Sequence, residues 1–304
     1  MEFKGVFVPI ITPFKKNEEI DYKALKDHIK FLIDCGVHGI IPCGSTGEFP
    51  LLSLEERKRI ISETISTVNG KIPVIVSVSD VRTDNVIELV RYTKDIGADG
   101  IMVLPPYYYK LEERELHTFF ETISSMADMP VMIYNNPWTA KIDLKPNLLA
   151  KLSQEFDIIR YVKESSGDVR RVSEIIELTD GKLKVFCGWD SIALESLLAG
   201  AEGWVATSAN VIPRATSLLF KLAYEGNIIK AKEIYKEILP LMRIIEDSGK
   251  FVQYVKASLN LLGRKVGNPR KPLMPPTKEE VARIQKLLIP IVSKYESYEN
   301  IIKG

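Results

Sequence analysis

The chain has 304 residues, of which 45% are hydrophobic and 27% are charged, and its formal net charge is +1. A composition near the globular average and so small a net charge give no reason to expect nucleic acid or an anionic membrane as a partner, so small-molecule chemistry is the better expectation. A chain of this length could form two domains, although a single α/β barrel also reaches this size.

The cysteines and the hydrophobic runs indicate the cellular compartment of the protein. Cys35, Cys43 and Cys187 are odd in number and lack CxxC spacing, which argues against a disulfide framework and a thiolate zinc site. No stretch reaches the roughly 18 apolar residues that a membrane span requires, and the first residues lack the pattern of an export signal. We therefore expect a cytoplasmic protein.

Short β-rich runs alternate with longer amphipathic stretches through the first two thirds of the chain. Apolar runs bounded by turn residues predict eight strands, at residues 6–11, 39–42, 73–78, 100–104, 131–134, 159–163, 184–187 and 203–207. Apolar residues at three- and four-residue spacing predict helices between them, for example at residues 21–35, 54–68, 83–96, 114–126 and 191–198. Ser53 and Glu56 predict a capping box at the start of the second of these helices.

This alternation predicts an α/β fold of the closed (β/α)8, or TIM barrel, type. Consecutive βα units with near-continuous apolar strands are typical of parallel barrels, and the competing open doubly wound sheet lacks a GxGxxG motif after its first strand. After residue 214 the β signal disappears and the pattern is helical. We predict a catalytic barrel over residues 1–226, completed by one helix, and a C-terminal helical extension of about three helices over residues 227–304.

In such a barrel the active site is built at the carboxyl ends of the strands and in the loops that follow them. Lys163 ends the sixth predicted strand and Tyr134 ends the fifth. The glycine-rich turn 44–47 follows the second strand, and three tyrosines at 107–109 follow the fourth. We expect the hydroxyl groups of these segments to converge on the Lys163 amine.

A lysine at the end of a buried strand is suited to imine chemistry. A charged amine costs several kcal/mol to bury, so a lysine in such a place often serves as a neutral amine. Neutral Lys163 can attack the ketone of a 2-oxo acid, and the resulting imine helps the neighbouring carbon to lose a proton or to break a carbon–carbon bond. Tyr134 can relay the protons, and the turn 44–47 can hold a carboxylate. The competing interpretations are a snorkelling surface lysine, an aromatic packing patch at 107–109 and a turn without a ligand.

Motifs for other chemistries are missing from the sequence. His28, His38 and His117 lack the paired spacing of metal ligands, so we expect no metal site. The GxxxxGK[ST] phosphate loop and the GxSxG nucleophile turn do not occur. We therefore expect no cofactor.

Taken together, the segments that carry this chemistry resemble the dihydrodipicolinate synthase and N-acetylneuraminate lyase superfamily of Schiff-base-forming aldolases. The resemblance runs over essentially the whole chain, and the combination and order of its motifs are highly specific. These motifs lie at residues 44–48, 106–108, 134–137, 162–168 and 188–190. The resemblance implies a (β/α)8 barrel with a helical extension, a homotetramer built as a dimer of dimers, and pyruvate or another 2-oxo acid bound as an imine.

The resemblance also implies roles for individual residues. Lys163 matches the imine-forming lysine and Tyr134 the proton-shuttling tyrosine. Ser45 and Thr46 match the hydroxyl pair that relays protons and grips the substrate carboxylate, next to the backbone of the glycine-rich turn that ends at Gly47. Tyr108 matches a tyrosine that reaches across a dimer to complete the neighbouring subunit's site.

Further positions concern the substrate pocket. Gly188 and Val205 match positions that line the bound 2-oxo acid, and Asp190 is similar to its counterpart in the sugar-acid members. In dihydrodipicolinate synthases an arginine follows the strand-five tyrosine by five residues and binds the carboxylate of the second substrate, whereas this chain has Thr139 there. A hydroxyl cannot supply the charge-assisted recognition of an arginine.

The main expectation is therefore a lyase that reversibly cleaves a 2-keto-3-deoxy sugar acid to pyruvate and an aldehyde. The first alternative is 4-hydroxy-tetrahydrodipicolinate synthase, and the second is a Schiff-base dehydratase or deaminase that acts on a related 2-oxo acid. A barrel that binds 2-oxo acids without turnover is the non-enzymatic alternative.

Overall fold

The computed structural model describes residues 2–296, and residues 297–304 of the predicted extension lie outside this part of the chain. Eight parallel strands surround a common axis: β1 (Gly5–Pro9), β2 (Gly39–Ile41), β3 (Ile75–Ser77), β4 (Gly100–Val103), β5 (Val131–Asn135), β6 (Ile159–Glu164), β7 (Lys184–Cys187) and β8 (Gly203–Val205). Every predicted strand is confirmed, with ends that differ by at most two residues. The prediction of a TIM barrel is confirmed as well.

The helices alternate with these strands and continue after the last one. They are α1 (Tyr22–Asp34), α2 (Leu54–Val68), α3 (Thr83–Asp95), α4 (Glu113–Met126), α5 (Pro137–Ala140), α6 (Pro146–Glu155), α7 (Arg170–Leu178), α8 (Ala193–Leu198), α9 (Pro213–Tyr224), α10 (Ile228–Asp247), α11 (Phe251–Leu261) and α12 (Lys278–Tyr295). The capping box of Ser53 and Glu56 forms at the start of α2, because each side chain accepts a hydrogen bond from the other residue's backbone N–H. In the described part of the chain, no helix combines the length and apolar character needed to span a membrane.

The strands form one sheet in the order β2-β1-β8-β7-β6-β5-β4-β3. The two outer strands of this order meet through a single parallel bridge between Ile40 and Val74, so the barrel is nearly closed. Two backbone hydrogen bonds cross this seam, from Ile40 N to the Pro73 carbonyl (3.0 Å) and from Ser77 N to the Pro42 carbonyl (3.1 Å). Strands β1 to β6 and β8 are buried almost throughout, as expected for parallel strands covered by helices on their outer face.

The C-terminal extension packs directly on the barrel. Helices α10, α11 and α12 are the three that the pattern predicted, and the boundary at residue 226 falls in the turn between α9 and α10. Ile238, Leu241 and Ile245 of α10 are fully buried and belong to the same apolar cluster as the barrel strands. The division into two domains remains a prediction, since one continuous core serves both parts.

A buried ion pair joins this extension to the barrel. Lys256 Nζ of α11 lies 2.5 Å from the Glu48 carboxylate, and neither side chain is more than 1% exposed. Lys256 also lies 4.2 Å from the centre of the Phe14 ring. Burial lowers the pKa of Lys256 to about 8, although Glu48 opposes this shift. Glu48 directly follows the turn 44–47, so the pair fixes the end of that turn.

Substituting Lys256 tests how much the pair stabilises the fold. Lys256→Met would leave the Glu48 carboxylate buried without its cation, so we expect the free energy of unfolding to fall by about 3–5 kcal/mol in denaturant titrations. Lys294→Met is the matched control, because Lys294 pairs with Glu237 on the surface and is 56% exposed. Equal changes in the two variants would contradict a special role for the buried pair.

Candidate active site

A cavity of about 300 Å³ opens at the carboxyl ends of the barrel strands. Residues that follow β2, β5, β6, β7 and β8 reach it, and so do residues at the end of α10 and the start of α11. The lining residues are Ser45, Thr46, Tyr134, Asn136, Trp138, Thr139, Lys163, Ser165, Gly188, Trp189, Thr207, Glu246, Gly249 and Phe251. Seven of the ten residues predicted for the site are at or beside this cavity, counting Gly47 in the turn next to Thr46.

Lys163 and Tyr134 are neighbours on adjacent strands. They are direct partners in the parallel register of β5 and β6, so both side chains point to the same face of the sheet. Lys163 is 6% exposed and Tyr134 is 5% exposed. The Lys163 Nζ atom lies 3.9 Å from the centre of the Tyr134 ring. The structure therefore brings the predicted amine and the predicted proton relay into contact.

The surroundings of the Tyr134 phenol lower its pKa, which favours proton exchange. Burial alone would raise its pKa, but the charge of Lys163 and the hydrogen bond that Asn136 donates outweigh burial and lower the pKa. The Asn136 Nδ2 atom donates to the phenol oxygen over 2.9 Å. The Asn136 Oδ1 atom accepts from Thr139 N over 3.1 Å, which fixes the orientation of the amide. Sequence reasoning missed Asn136 as a site residue, although it follows Tyr134 by two positions.

The turn after β2 brings two hydroxyl groups to the cavity. Cys43 and Glu48, on either side of the turn, have left-handed backbone conformations with φ of 58° and 60°. The Thr46 hydroxyl lies 3.5 Å from that of Thr207. The Ser45 hydroxyl oxygen is buried beside the Tyr134 phenol, and a hydrogen bond between the two groups helps to lower the pKa of the phenol. A hydroxyl group has one donor and two acceptor sites, so Ser45 can bond to Tyr134 and to a substrate oxygen at the same time.

Gly47 and Gly188 lie where neighbouring atoms leave little room for a Cβ atom. The Gly47 carbonyl accepts a hydrogen bond from the Thr12 hydroxyl over 2.7 Å, and a Cβ at Gly47 would approach the Ile10 carbonyl oxygen to 3.0 Å. A Cβ at Gly188 would lie 1.9 Å from Ser165 Oγ and 2.8 Å from Lys163 Cγ. Gly188 therefore leaves the room in which the Lys163 side chain lies.

The structure does not place Asp190 or Val205 at the cavity, where the sequence prediction had put them. The Asp190 carboxylate is buried and accepts hydrogen bonds from Trp204 Nε1 (2.9 Å), Thr207 N (3.1 Å) and Ser208 N (2.7 Å). It therefore holds the ends of β7 and β8 together and is occupied by protein donors. Val205 is 1% exposed and forms part of the barrel core. Thr207, two residues further along, reaches the cavity in its place.

Tyr108 also lies outside this cavity. It is 79% exposed, and its ring packs edge-on against that of Tyr109 with 5.0 Å between the ring centres. The neighbouring Tyr107 instead packs against Phe49, in an apolar cavity of about 290 Å³ that shares Ser45 and Thr139 with the main one. Tyr108 therefore does not line the cavity of its own subunit. Its predicted role in the site of a second subunit requires an exposed side chain.

Glu246 is the acidic residue that lines the cavity, and sequence reasoning missed it. Its carboxylate accepts hydrogen bonds from the backbone N–H groups of Asp190 and Ser191. Burial and then the nearby charge of Asp190 raise its pKa. Within residues 2–296, no cluster of three or more His, Cys, Asp or Glu side chains could hold a metal ion.

Comparison with known proteins assigns the chain to a family. The model of the dihydrodipicolinate synthetase family matches residues 2–290. The chain belongs to this family. Members of the family are class I aldolases, so this chain is a carbon–carbon lyase with a Schiff-base mechanism. The superfamily resemblance of its motifs is confirmed.

Individual relatives of the family are similar over nearly their whole length. The 4-hydroxy-tetrahydrodipicolinate synthase of Methanocaldococcus jannaschii is 35% identical over 290 residues, which cover 94% of this chain and 98% of that protein. The dihydrodipicolinate synthase of Aquifex aeolicus superposes with a TM-score of 0.89 at 32% identity, covering 95% of this chain and 98% of the other. The family member YagE of Escherichia coli, solved in complex with pyruvate, gives a TM-score of 0.90 at 30% identity over 95% of this chain and 98% of the other.

Proposed function

We propose that this protein joins pyruvate to an aldehyde, and cleaves the product in reverse, through an imine on Lys163. The contact between Lys163 and Tyr134 in a cavity that Ser45 and Thr46 also line is the observation that carries the proposal. The pyruvate complex of the family member YagE supports the choice of the 2-oxo acid. A barrel without turnover is disfavoured, because residues 2–290 match a family of enzymes.

The proposed first half-reaction uses the residues at the bottom of the cavity. The neutral Lys163 amine attacks the keto carbon of pyruvate, a carbon–nitrogen bond forms, and water leaves to give the protonated imine. Tyr134 donates the proton that the departing oxygen needs, and Asn136 holds the phenol in place. Ser45 and Thr46 bind the pyruvate carboxylate. Both residues line the cavity, and a hydroxyl group can donate a hydrogen bond to a carboxylate oxygen.

In the second half-reaction the imine activates the methyl carbon of pyruvate. Loss of a proton from this carbon gives an enamine, and the proton passes to the Tyr134 phenolate. The enamine carbon then attacks the carbonyl carbon of the aldehyde, whose oxygen takes a proton from Tyr134. Addition of water to the new imine releases the product and frees Lys163. The lowered pKa of Tyr134 suits a group that must both give and take a proton in each cycle.

For the acceptor we propose a neutral, hydroxylated aldehyde, which makes the product a 2-keto-3-deoxy sugar acid. Lys163 is the only cationic side chain that lines the cavity in the described part of the chain, and Thr139 stands where a synthase would place its arginine. A carboxylate on the acceptor would therefore lack a charged partner.

The second candidate is 4-hydroxy-tetrahydrodipicolinate synthase, whose acceptor is aspartate semialdehyde. The comparisons support this alternative better than the sugar-acid lyase, because the curated relatives from Methanocaldococcus jannaschii and Methanothrix thermoacetophila, 35% and 36% identical, both carry that name. The two candidates share the imine on Lys163 and differ in the charge of the acceptor. The residues that line the acceptor half of the cavity therefore determine which of the two reactions occurs.

Borohydride trapping tests the imine. With pyruvate and borohydride we expect a stable adduct on Lys163, found by peptide mass analysis. Gly188→Ala should abolish the adduct, because the added methyl would overlap Ser165 and the Lys163 side chain. The control Gly226→Ala adds the same methyl in an exposed turn with no atom within 4 Å. Its φ of 75° strains the backbone of that turn only, so this variant should retain the adduct. An adduct on another lysine, or none in the wild type, would refute the imine on Lys163.

An aldehyde comparison tests the acceptor. With pyruvate we expect a higher kcat/KM for glyceraldehyde than for aspartate semialdehyde. Thr139→Arg should shift the ratio of the two toward aspartate semialdehyde by about tenfold to a hundredfold, since a charged hydrogen bond contributes ~1.5–3 kcal/mol. Thr139→Gln, which is long but neutral, should leave the ratio near its wild-type value. A wild-type preference for aspartate semialdehyde would establish the synthase instead.

We also propose that the protein assembles as a homotetramer in which Tyr108 completes a neighbouring subunit's site. The 79% exposure of Tyr108 beside the exposed Tyr109 supports this role. Sedimentation velocity should give the mass of four chains, and Tyr108→Ala should lower kcat. Tyr224→Ala is the control, because Tyr224 is also exposed but contacts Lys4 at the opposite end of the barrel. A monomer with full activity would contradict the assembly.

A further inference from the structure

Glu246 lies on the wall of the active-site cavity but comes from outside the barrel. It is the second-to-last residue of α10, the first helix of the extension. The side chain is partly buried and lines the same cavity as Lys163 and Tyr134. One carboxylate oxygen accepts from Asp190 N, and the other accepts from Ser191 N over 2.9 Å. These two bonds fix the carboxylate in one orientation against the end of β7.

Three features of this position destabilise a carboxylate. It is partly removed from water, it stands close to the buried carboxyl group of Asp190, and it lies at the end of a helix where the backbone dipole disfavours negative charge. Among residues 2–296, no cationic side chain forms an ion pair with it. The two backbone bonds use one acceptor site on each oxygen, and a carboxylate has about four such sites. Acceptor capacity therefore remains for a ligand, and an acidic group kept at such cost in a cleft points to a functional role.

We propose that Glu246 is a specificity-determining residue that binds hydroxyl groups of the aldehyde. Its carboxyl oxygens accept hydrogen bonds from the hydroxyl groups of a neutral acceptor, and the same oxygens disfavour an acceptor that carries a carboxylate. Thr139 and Thr207 also line this cavity and add neutral hydroxyl partners. This inference rests on the proposed pyruvate-dependent aldol reaction and adds to it the residue from the extension that selects the second substrate.

The test compares two aldehydes that differ only in their hydroxyl groups. Glyceraldehyde and propanal have the same three-carbon chain, and each is assayed with pyruvate against the wild type, Glu246→Gln and Glu233→Gln. We expect Glu246→Gln to lower the glyceraldehyde-to-propanal ratio of kcat/KM by about threefold to tenfold, the effect of losing one hydrogen bond between neutral groups, because the amide replaces one acceptor oxygen by a donor. Glu233→Gln is the matched control, because it makes the same replacement at an exposed position of the same helix.

Borohydride trapping of pyruvate separates a change in specificity from a damaged site. Trapping should be equal in the wild type and both variants, since Lys163 is untouched. If Glu246→Gln traps pyruvate normally and its aldehyde ratio equals that of Glu233→Gln, the role of Glu246 is refuted while the aldol reaction stands. If Glu246→Gln fails to trap pyruvate, Glu246→Asp replaces it in the same assay. Aspartate keeps both oxygens but draws them back by one methylene, so an unchanged ratio in that variant would refute the proposal.

The remaining outcomes concern the reaction itself. A wild-type enzyme that traps pyruvate but accepts only aspartate semialdehyde would overturn both the neutral acceptor and the role of Glu246. A wild-type enzyme that does not trap pyruvate would overturn the proposed function, and the inference on Glu246 with it. These results differ from the specific failure of Glu246, in which neutral aldehydes still react and only the ratio stays constant.

Discussion

The ion pair between Lys256 and Glu48 connects the helical extension to the turn that carries Ser45 and Thr46. A buried pair of this kind stabilises a structure only when both partners are present and hydrogen-bonded, and here Glu48 also accepts from Arg270 N over 2.8 Å. Arg270 in turn binds Glu56 at the start of α2 through two bonds of 2.9 and 2.7 Å. The extension therefore supports the turn from outside the barrel, and the orientation of its hydroxyl groups depends on residues far along the chain.

A second constraint is the space around Lys163. The side chain crosses a region where Gly188 contributes no atoms beyond its backbone, and Tyr134 covers its end. Neighbouring strands of a parallel sheet place such groups side by side with little freedom, so the amine and the phenol meet without a mobile loop. The loops and the extension are left to shape the acceptor half through residues such as Thr139, Trp189 and Glu246. The proposed imine site and the proposed specificity site are thus built from different parts of the chain.

The sequence was sufficient for the parts of the molecule that depend on local pattern. Parallel strands covered on both faces appear as continuous apolar runs, so the strands were predictable, and the rule for carboxyl ends of strands then located Lys163 and Tyr134. Contacts between distant segments were not predictable. Asp190 has the chemistry of a ligand-binding residue, but Trp204 and two backbone N–H groups occupy it. Glu246 lies in an ordinary amphipathic helix, and only the packing of that helix brings it to the cavity.

The single bridge between β2 and β3 has a consequence for cooperativity. Each of the other strand pairs in the barrel has at least two residue pairs in register, whereas this seam has the Ile40–Val74 bridge and two backbone hydrogen bonds across it. Local opening free energies are smallest where few backbone bonds must break, so the seam is the weakest line of the barrel wall. The turn after β2 begins beside it. Lys256 and Arg270 bind Glu48 at the end of this turn from outside the barrel. Their contacts therefore couple local unfolding at the seam to the stability of the whole domain.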